Sequence, residues 1–350
     1  MMGDTNIQQI PTGGGGGGGG SGGVTIPLWI AGGNGGNTMA YSTNGLSWTG
    51  LDSTIFNTME RSMIYNPDKK LFVAGGNGSG NTLAYSVNGI TWTGFGNSIF
   101  SAAAIKIVYN ASQKIYIACG QSSSGNTIAY SANGIAWTGL GSVISSAVIG
   151  LTYSAIQNQW IAIGQGTGNI IGYSNDGIHW TGRGQPDAFV TNTSRSIAYS
   201  TKQDIWVAGN DVAGDSLFSG NTLAYSKDGI VWTGLGSRII TFRNGCVSYS
   251  IKQDIWITSG MISGYVGSSG NTIAYSKDGI TWTGTGATLY GNGVSRVCWN
   301  VGYSPTQDIW VSVGEGPNGN TLGYSKDGIT WTGLGISTFS SYARGIDCTM

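Results

Sequence analysis

Apolar residues in this chain come in short bursts separated by Gly, Ser, Asn and Asp, and the bursts recur. One is a continuous apolar run carrying an aromatic near its start, as in LFVAGG and IWVAGN, with the aromatic at Trp29, Phe72, Tyr116, Trp160, Trp206, Trp256 and Trp310. A run of this length bounded by turn residues reads as a buried strand. A second burst ahead of it, RSMIYN at Arg61 to Asn66, RSIAYS at Arg195 to Ser200 and GCVSYS at Gly245 to Ser250, supplies another strand. A third, GNTIAYSKDGITWTG at Gly270 to Gly284, reads as two short strands around a turn. Hairpin-length links between all of these favour antiparallel meanders.

The third phrase is repeated seven times, ending at Gly50, Gly94, Gly139, Gly182, Gly234, Gly284 and Gly333, with successive copies 44, 45, 43, 52, 50 and 49 residues apart. Strand-rich periods of about 40 to 50 residues are those of propeller blades. The expected fold is therefore all-β, a seven-bladed β-propeller of four-stranded antiparallel blades with strands a to d from the axis outward. In the fifth blade these are expected at Arg195 to Ser200, Asp204 to Gly209, Asn221 to Ser226 and Ile230 to Gly234. The first blade opens at its b strand, and Ala343 to Met350 matches the missing a strand. The C-terminal strand should join the first blade and leave no open edge. Residues 24–350 then form one propeller, with 24–50 plus 343–350 as its first blade. Residues 1–23, which include eight consecutive glycines, make a flexible tether.

Composition narrows the partners. Charged residues are 9% of the chain, and 16 basic residues balance 16 acidic ones with no run of either sign. Nucleic acid and anionic membrane are not expected partners. No apolar stretch is long enough for a membrane span, and MMGDTNIQQIPT lacks the features of a secretory signal, so synthesis in the cytoplasm is expected. Cys119, Cys246, Cys298 and Cys348 fall on or beside strands too far apart for bridges and are expected as free buried thiols.

Ser276-Lys277-Asp278-Gly279-Ile280-Thr281-Trp282 resembles the Asp-box of sialidase-type (BNR-like) propellers, with one residue fewer between Asp and Gly. The equivalent positions are Asn44, Asn88, Asn133, Asp176, Asp228, Asp278 and Asp327. The resemblance implies a propeller and places these boxes away from any active site. Physically, a short Asp or Asn accepts hydrogen bonds from its own turn while the Gly takes positive φ, so the box is expected to be structural, not a metal ladder. Phrases such as AYSKDGITWTGLG are also similar to repeats of large DNA viruses, which implies a structural component of a virion or particle surface.

Enzymatic chemistry finds little support. Arg61, Arg195 and Arg344 share one position in three a strands and invite comparison with the arginine triad of sialidases. Against this, Glu60 and Glu315 are the only glutamates in the chain, and the Arg-Ile-Pro motif of that family is missing. Paired acid and nucleophile carboxylates are hard to assemble from this inventory. The arginines are expected to line the channel. The sole histidine, His179, is expected on an exposed strand position, which leaves no zinc cluster, and no cofactor or metal is expected. The b-to-c loops vary most, and Asp211, Asp215, Phe218, Met261, Tyr265, Tyr290, Asn292 and Asn318 are the candidate binding residues on that variable face. The expected function is a non-enzymatic interaction propeller whose partner is a protein or particle scaffold. A carbohydrate-binding propeller is the alternative, and a sialidase-like glycosidase stands behind it.

Overall fold

The computed structural model describes residues 29–34, 36–122, 125–142, 144, 146–166, 168–186, 188, 194–211, 220–262, 270–286, 288–290, 296–315, 319–339 and 342–348. The tether assigned to residues 1–23 lies outside them. Among the described residues the secondary structure is all β apart from one 3-10 turn, Thr288–Tyr290, and no helix is long and apolar enough to cross a membrane. Strands pair antiparallel into four-stranded units, and the whole is propeller-like.

Each unit is built alike. In the fifth, a is Ser194–Ser200, b is Ile205–Asn210, c is Leu223–Ser226 and d is Thr233–Gly234. The d strand is shorter than expected because the Ile230 and Val231 amides are taken by the Asp228 side chain instead of a ladder. At the chain ends, Tyr342–Cys348 pairs antiparallel with Trp29–Asn34, in the register that makes it the a strand of the first unit. It also lies beside the a strands of the second unit, Met59–Asn66, and of the last, Arg296–Ser304.

The repeated phrase is explained by what its side chains hold. In the box hairpins the Asn or Asp Oδ1 accepts two backbone amides: Ile280 and Thr281 reach Asp278 at 2.8 and 2.7 Å, and Leu46 and Ser47 reach Asn44 at 2.9 and 2.8 Å. The Ser hydroxyl, Ser276 in that copy, donates to the same oxygen and accepts the amide of Gly279, whose φ of 72° suits glycine. The Trp of Trp-Thr-Gly donates its indole N–H back to that glycine's carbonyl, at 3.2 Å for Trp282. At the other end of the phrase, the Asn of Gly-Asn-Thr packs on the Gly of Trp-Thr-Gly, so closely that a Cβ on Gly284 would strike Asn271. Asn271 then accepts the Gly286 amide and donates to the Ile239 carbonyl of the connection entering its unit.

The core lies between consecutive sheets. Ile115 and Ile117 of the third unit pack with Leu151 and Trp160 of the fourth, and Ile205 and Val207 of the fifth with Tyr249 and Trp256 of the sixth. Trp29, Trp160, Trp206, Trp256 and Trp310 are fully buried, as the apolar runs predict.

Candidate functional site

The a strands carry an irregularity that positions the candidate arginine side chains. Register shifts fall at corresponding points of the a strands, between Glu60 and Ser62, Ala104 and Lys106, Val148 and Gly150, Ser194 and Ser196, Asn244 and Val247, and Cys298 and Asn300. In Tyr342–Cys348 the shift falls between Ala343 and Gly345. A β-bulge leaves one residue out of the ladder and re-aims its side chain. The bulged residues are Arg344, Arg61, Ile105, Ile149, Arg195, Gly245 (with Cys246) and Trp299, and Arg344, Arg61, Ile105, Ile149, Arg195 and Trp299 are all half-buried. Arg61, Arg195 and Arg344 thus occupy equivalent positions because each is the bulge residue of its strand.

Their surroundings differ. Arg195 Nε donates to Asp211 Oδ1 at 2.6 Å, and Arg243 Nε lies 3.3 Å from Asp211 Oδ2. Asp211 and Arg243 also form an isolated β-bridge, so backbone and side chain hold the pair together. Arg61 Nε donates to Asn77 Oδ1 at 2.5 Å. The Arg344 guanidinium stacks 4.1 Å from the centroid of Trp299, the bulge residue of the last unit, and 5.2 Å from that of Tyr342. Its Nε is buried without a hydrogen-bond partner among the described residues.

The cations act on one another. Burial, with the nearby charges of Arg344 and Arg195, pulls the Arg61 guanidinium down to about 10. Burial also lowers Arg344, where Tyr342 and Glu315 oppose the effect and Arg195 and Arg243 add to it. Arg243 is lowered by burial and by Arg195, against the favourable charge of Asp211. The Lys106 ammonium, one residue past a bulge, is near enough to act on Cys246 of the sixth unit. Glu60, itself buried, favours the charged Arg61.

The structure brings together residues that the sequence kept in two groups. Asp211 and Met261, assigned to the variable loops, belong with arginines of the a strands: Asp211 holds Arg195, and Met261 pairs in register with Arg243. Tyr290 is a correction. Expected on an exposed loop, it is fully buried, because the 3-10 turn tucks its ring against Gly314 and its hydroxyl donates to Ser312 Oγ at 2.7 Å. Asp215, Phe218, Tyr265, Asn292 and Asn318 lie outside the described residues. Arg243, Lys106 and Trp299 were missed; the repeated bulge position was the signal that could have found Trp299.

The remaining candidates are spent on structure. Partial burial pushes the Asp228, Asp278 and Asp327 carboxyls up, but two backbone amides and a Ser hydroxyl outweigh it and hold them below the usual range. Asp176 is held lower still, with His179 Nδ1 at 2.6 Å from its second oxygen, and the His179 side chain is exposed as expected. Cys119, Cys246 and Cys298 are free and buried, and burial pushes the Cys119 thiol up to about 12 and Cys246 up to about 11. These are poor nucleophiles at neutral pH. An open cleft of about 490 Å³ lies between the first and second units, lined by residues including Asn37, Asp52, Ile55 and Trp92. Large apolar side chains are exposed chiefly on the a-to-b and c-to-d turns, at Leu46, Val87, Ile135, Ile156, Ile251, Ile280 and Ile329.

This combination defines a propeller-like all-β protein whose inner strands present a cluster of guanidinium groups. No protein-family model matches the chain, and no curated protein is similar to it in sequence. Among solved structures it is similar to a protein from Lactobacillus plantarum, with a TM-score of 0.62 and 13% identity over 91% of this chain and 98% of that one. It is also similar to a chain of a nidogen/laminin complex, with a TM-score of 0.52 and 7% identity over 92% of this chain and 98% of that one. At these identities the likeness is one of fold.

Proposed function

We propose that the chain is a closed seven-bladed propeller acting as a non-enzymatic interaction scaffold, with a protein as its partner. The observation that carries this reading is the use of the repeated polar groups. Box Asx oxygens, box serines and the Asn of Gly-Asn-Thr bind backbone within or beside their own units, so repetition builds a rigid frame instead of repeated ligand sites. The bonding of Tyr342–Cys348 to the first unit supports closure. The nidogen/laminin complex offers a precedent of similar fold solved with a protein partner. Among the described residues no three His, Cys, Asp or Glu side chains gather as a metal site would need. Incorporation into a virion or particle surface is part of the same reading and rests on the repeat phrases alone.

Mass spectrometry of purified source particles, before and after mild surface proteolysis, tests the reading. The expected result is a stoichiometric chain that loses its loop peptides on shaving. Strong, sugar-competed binding on a glycan array, or hydrolysis of a sialoside by the pure chain, would overturn it.

A further inference from the structure

The described side chains around the axis do not balance in charge. Arg61, Arg195, Arg243, Arg344 and Lys106 bring five cations, while the carboxylates acting on them are Glu60, Asp211 and Glu315. In a chain of zero net charge, this is a local concentration of positive charge in a partly desolvated place. Like charges are normally held apart, because each raises the cost of keeping the next one charged. Here the bulges fix the opposite arrangement in the backbone. Three units aim an arginine inward from the same register position, and three others place Ile or Trp there, so the arrangement is not imposed by the fold.

We propose that this cluster is a binding site for one tetrahedral dianion of phosphate type, seated between the bulge arginines Arg61, Arg195 and Arg344. The excess of positive charge favours an anion, and guanidinium forks suit phosphate oxygens geometrically. Arg344 has a buried Nε without an acceptor among the described residues while its face is held by Trp299, so the fork is oriented before any ligand arrives. Asp211 orients Arg195 and Arg243 in the same way. Side-chain exposures of 24% for Arg195 and 33% for Arg243 show that the cluster opens to solvent. The opening lies where the b strand of the fifth unit ends, at the bridge between Arg243 and Asp211. This proposal stands or falls without the protein partner proposed above.

Burial first, and then the charges of Arg344 and Arg195, lower Arg61, and an anion seated beside it would oppose the effect of those charges. Calorimetric titration of the full chain with inorganic phosphate, at constant ionic strength set by chloride, is the test. One saturable site is expected, accompanied by a rise in melting temperature. Arg61→Gln and Arg344→Gln should each weaken it at least about tenfold, the scale of one charge-assisted hydrogen bond. Arg238→Gln removes an equal charge from an exposed connection and should leave binding unchanged. A phosphomonoester, O-phosphoserine, titrated in parallel distinguishes an esterified source from the free ion. Equal binding points to a group carried on a larger molecule, and loss of binding points to inorganic phosphate. Heat no larger than that of added chloride would overturn the proposal, and so would equal weakening by all three variants. Should Arg344→Gln fail to fold, Arg61→Gln alone decides, because what the Arg61 side chain holds is a hydrogen bond to the Asn77 side chain.

Discussion

The seam between the sixth and seventh units and the seam between the first and second unite the same kinds of strand with different side chains. In the former, Gln253 of the sixth unit accepts the Trp310 indole N–H at 2.8 Å, and its amide donates to Asp308 and to the Lys326 carbonyl, each at 2.8 Å. Asp308, at a positive φ of 53°, also accepts the Tyr303 hydroxyl. Gln113, Gln157, Gln203 and Gln307 span the seams after the third, fourth, fifth and seventh units in the same manner. Between the first and second units the b-strand aromatic is Phe72, packed with Ile30, Met39 and Met63, and the cleft lies in that seam. The cause is topological. A clamp glutamine sits on an a-to-b turn, and the first unit has none, because its a and b strands come from opposite ends of the chain. With no acceptor there, an indole N–H would be buried unpaired, and a ring without a polar tip is the consistent choice. The second unit has Asn66 instead, and its partner is the Tyr116 hydroxyl.

Removing Arg344 to Met350 tests this contrast hardest. The seam between the first and second units relies on apolar packing, and the deletion takes away most of the strand that pairs with Trp29–Asn34, along with the buried Ile346. The exposed edge of Trp29–Asn34 is expected to drive aggregation and proteolysis, seen as loss of a single cooperative melt. An unchanged melting temperature would show that the first unit does not depend on the C-terminal strand.

Smaller changes distinguish the seams one at a time. Gln253→Ala leaves the buried Trp310 N–H without its acceptor, at a cost of roughly 1–3 kcal/mol, or about 1 to 4 °C in melting temperature. Phe72→Trp restores the commonest residue of the repeat, yet it should also destabilise, by about 1–3 kcal/mol, because the larger ring enters a fully packed site. A stabilising Phe72→Trp would mean that the seam supplies an acceptor after all.

What the sequence disclosed follows from distance along the chain. Box hairpins, buried aromatics and the C-terminal a strand were legible because each is written within one period or at a repeat position, and the fifth unit's strands shifted by only a few residues. The clamp was not legible, although Gln recurs in Gln-Asp-Ile-Trp, because its acceptor faces the Trp of the next unit and not the neighbouring one in sequence. Arg195 and Asp211 were each singled out for different reasons, and only the bridge to Arg243 joins them. Tyr290 was misplaced because turn residues around it suggested an exposed loop, whereas Gly314 leaves a space that its ring fills.

Acid provides the mildest test and reaches another difference between the two halves. Boxes of the first three units carry Asn, and those of the last four carry Asp, in the same hydrogen-bonded geometry. The carboxyls are held below their ordinary value, as are Asp204, Asp308 and Asp254, the last down to about 2 through Lys202 and Tyr249. A folded-state value below the unfolded one of about 3.9 gives stability that is present above about pH 4 and lost as pH falls toward the folded value. The melting temperature should therefore be flat from neutral pH to about pH 5 and fall below about pH 4. Replacing Asp176, Asp228, Asp278 and Asp327 together by Asn should leave neutral stability within about 0.5 kcal/mol per site, since Asn44 accepts the same amides. The acid limb should become shallower without disappearing, because Asp204, Asp254 and Asp308 still titrate. An unaltered acid limb would place the acid sensitivity wholly in the seams, and the box carboxylates would then be equivalent to the asparagines at every pH.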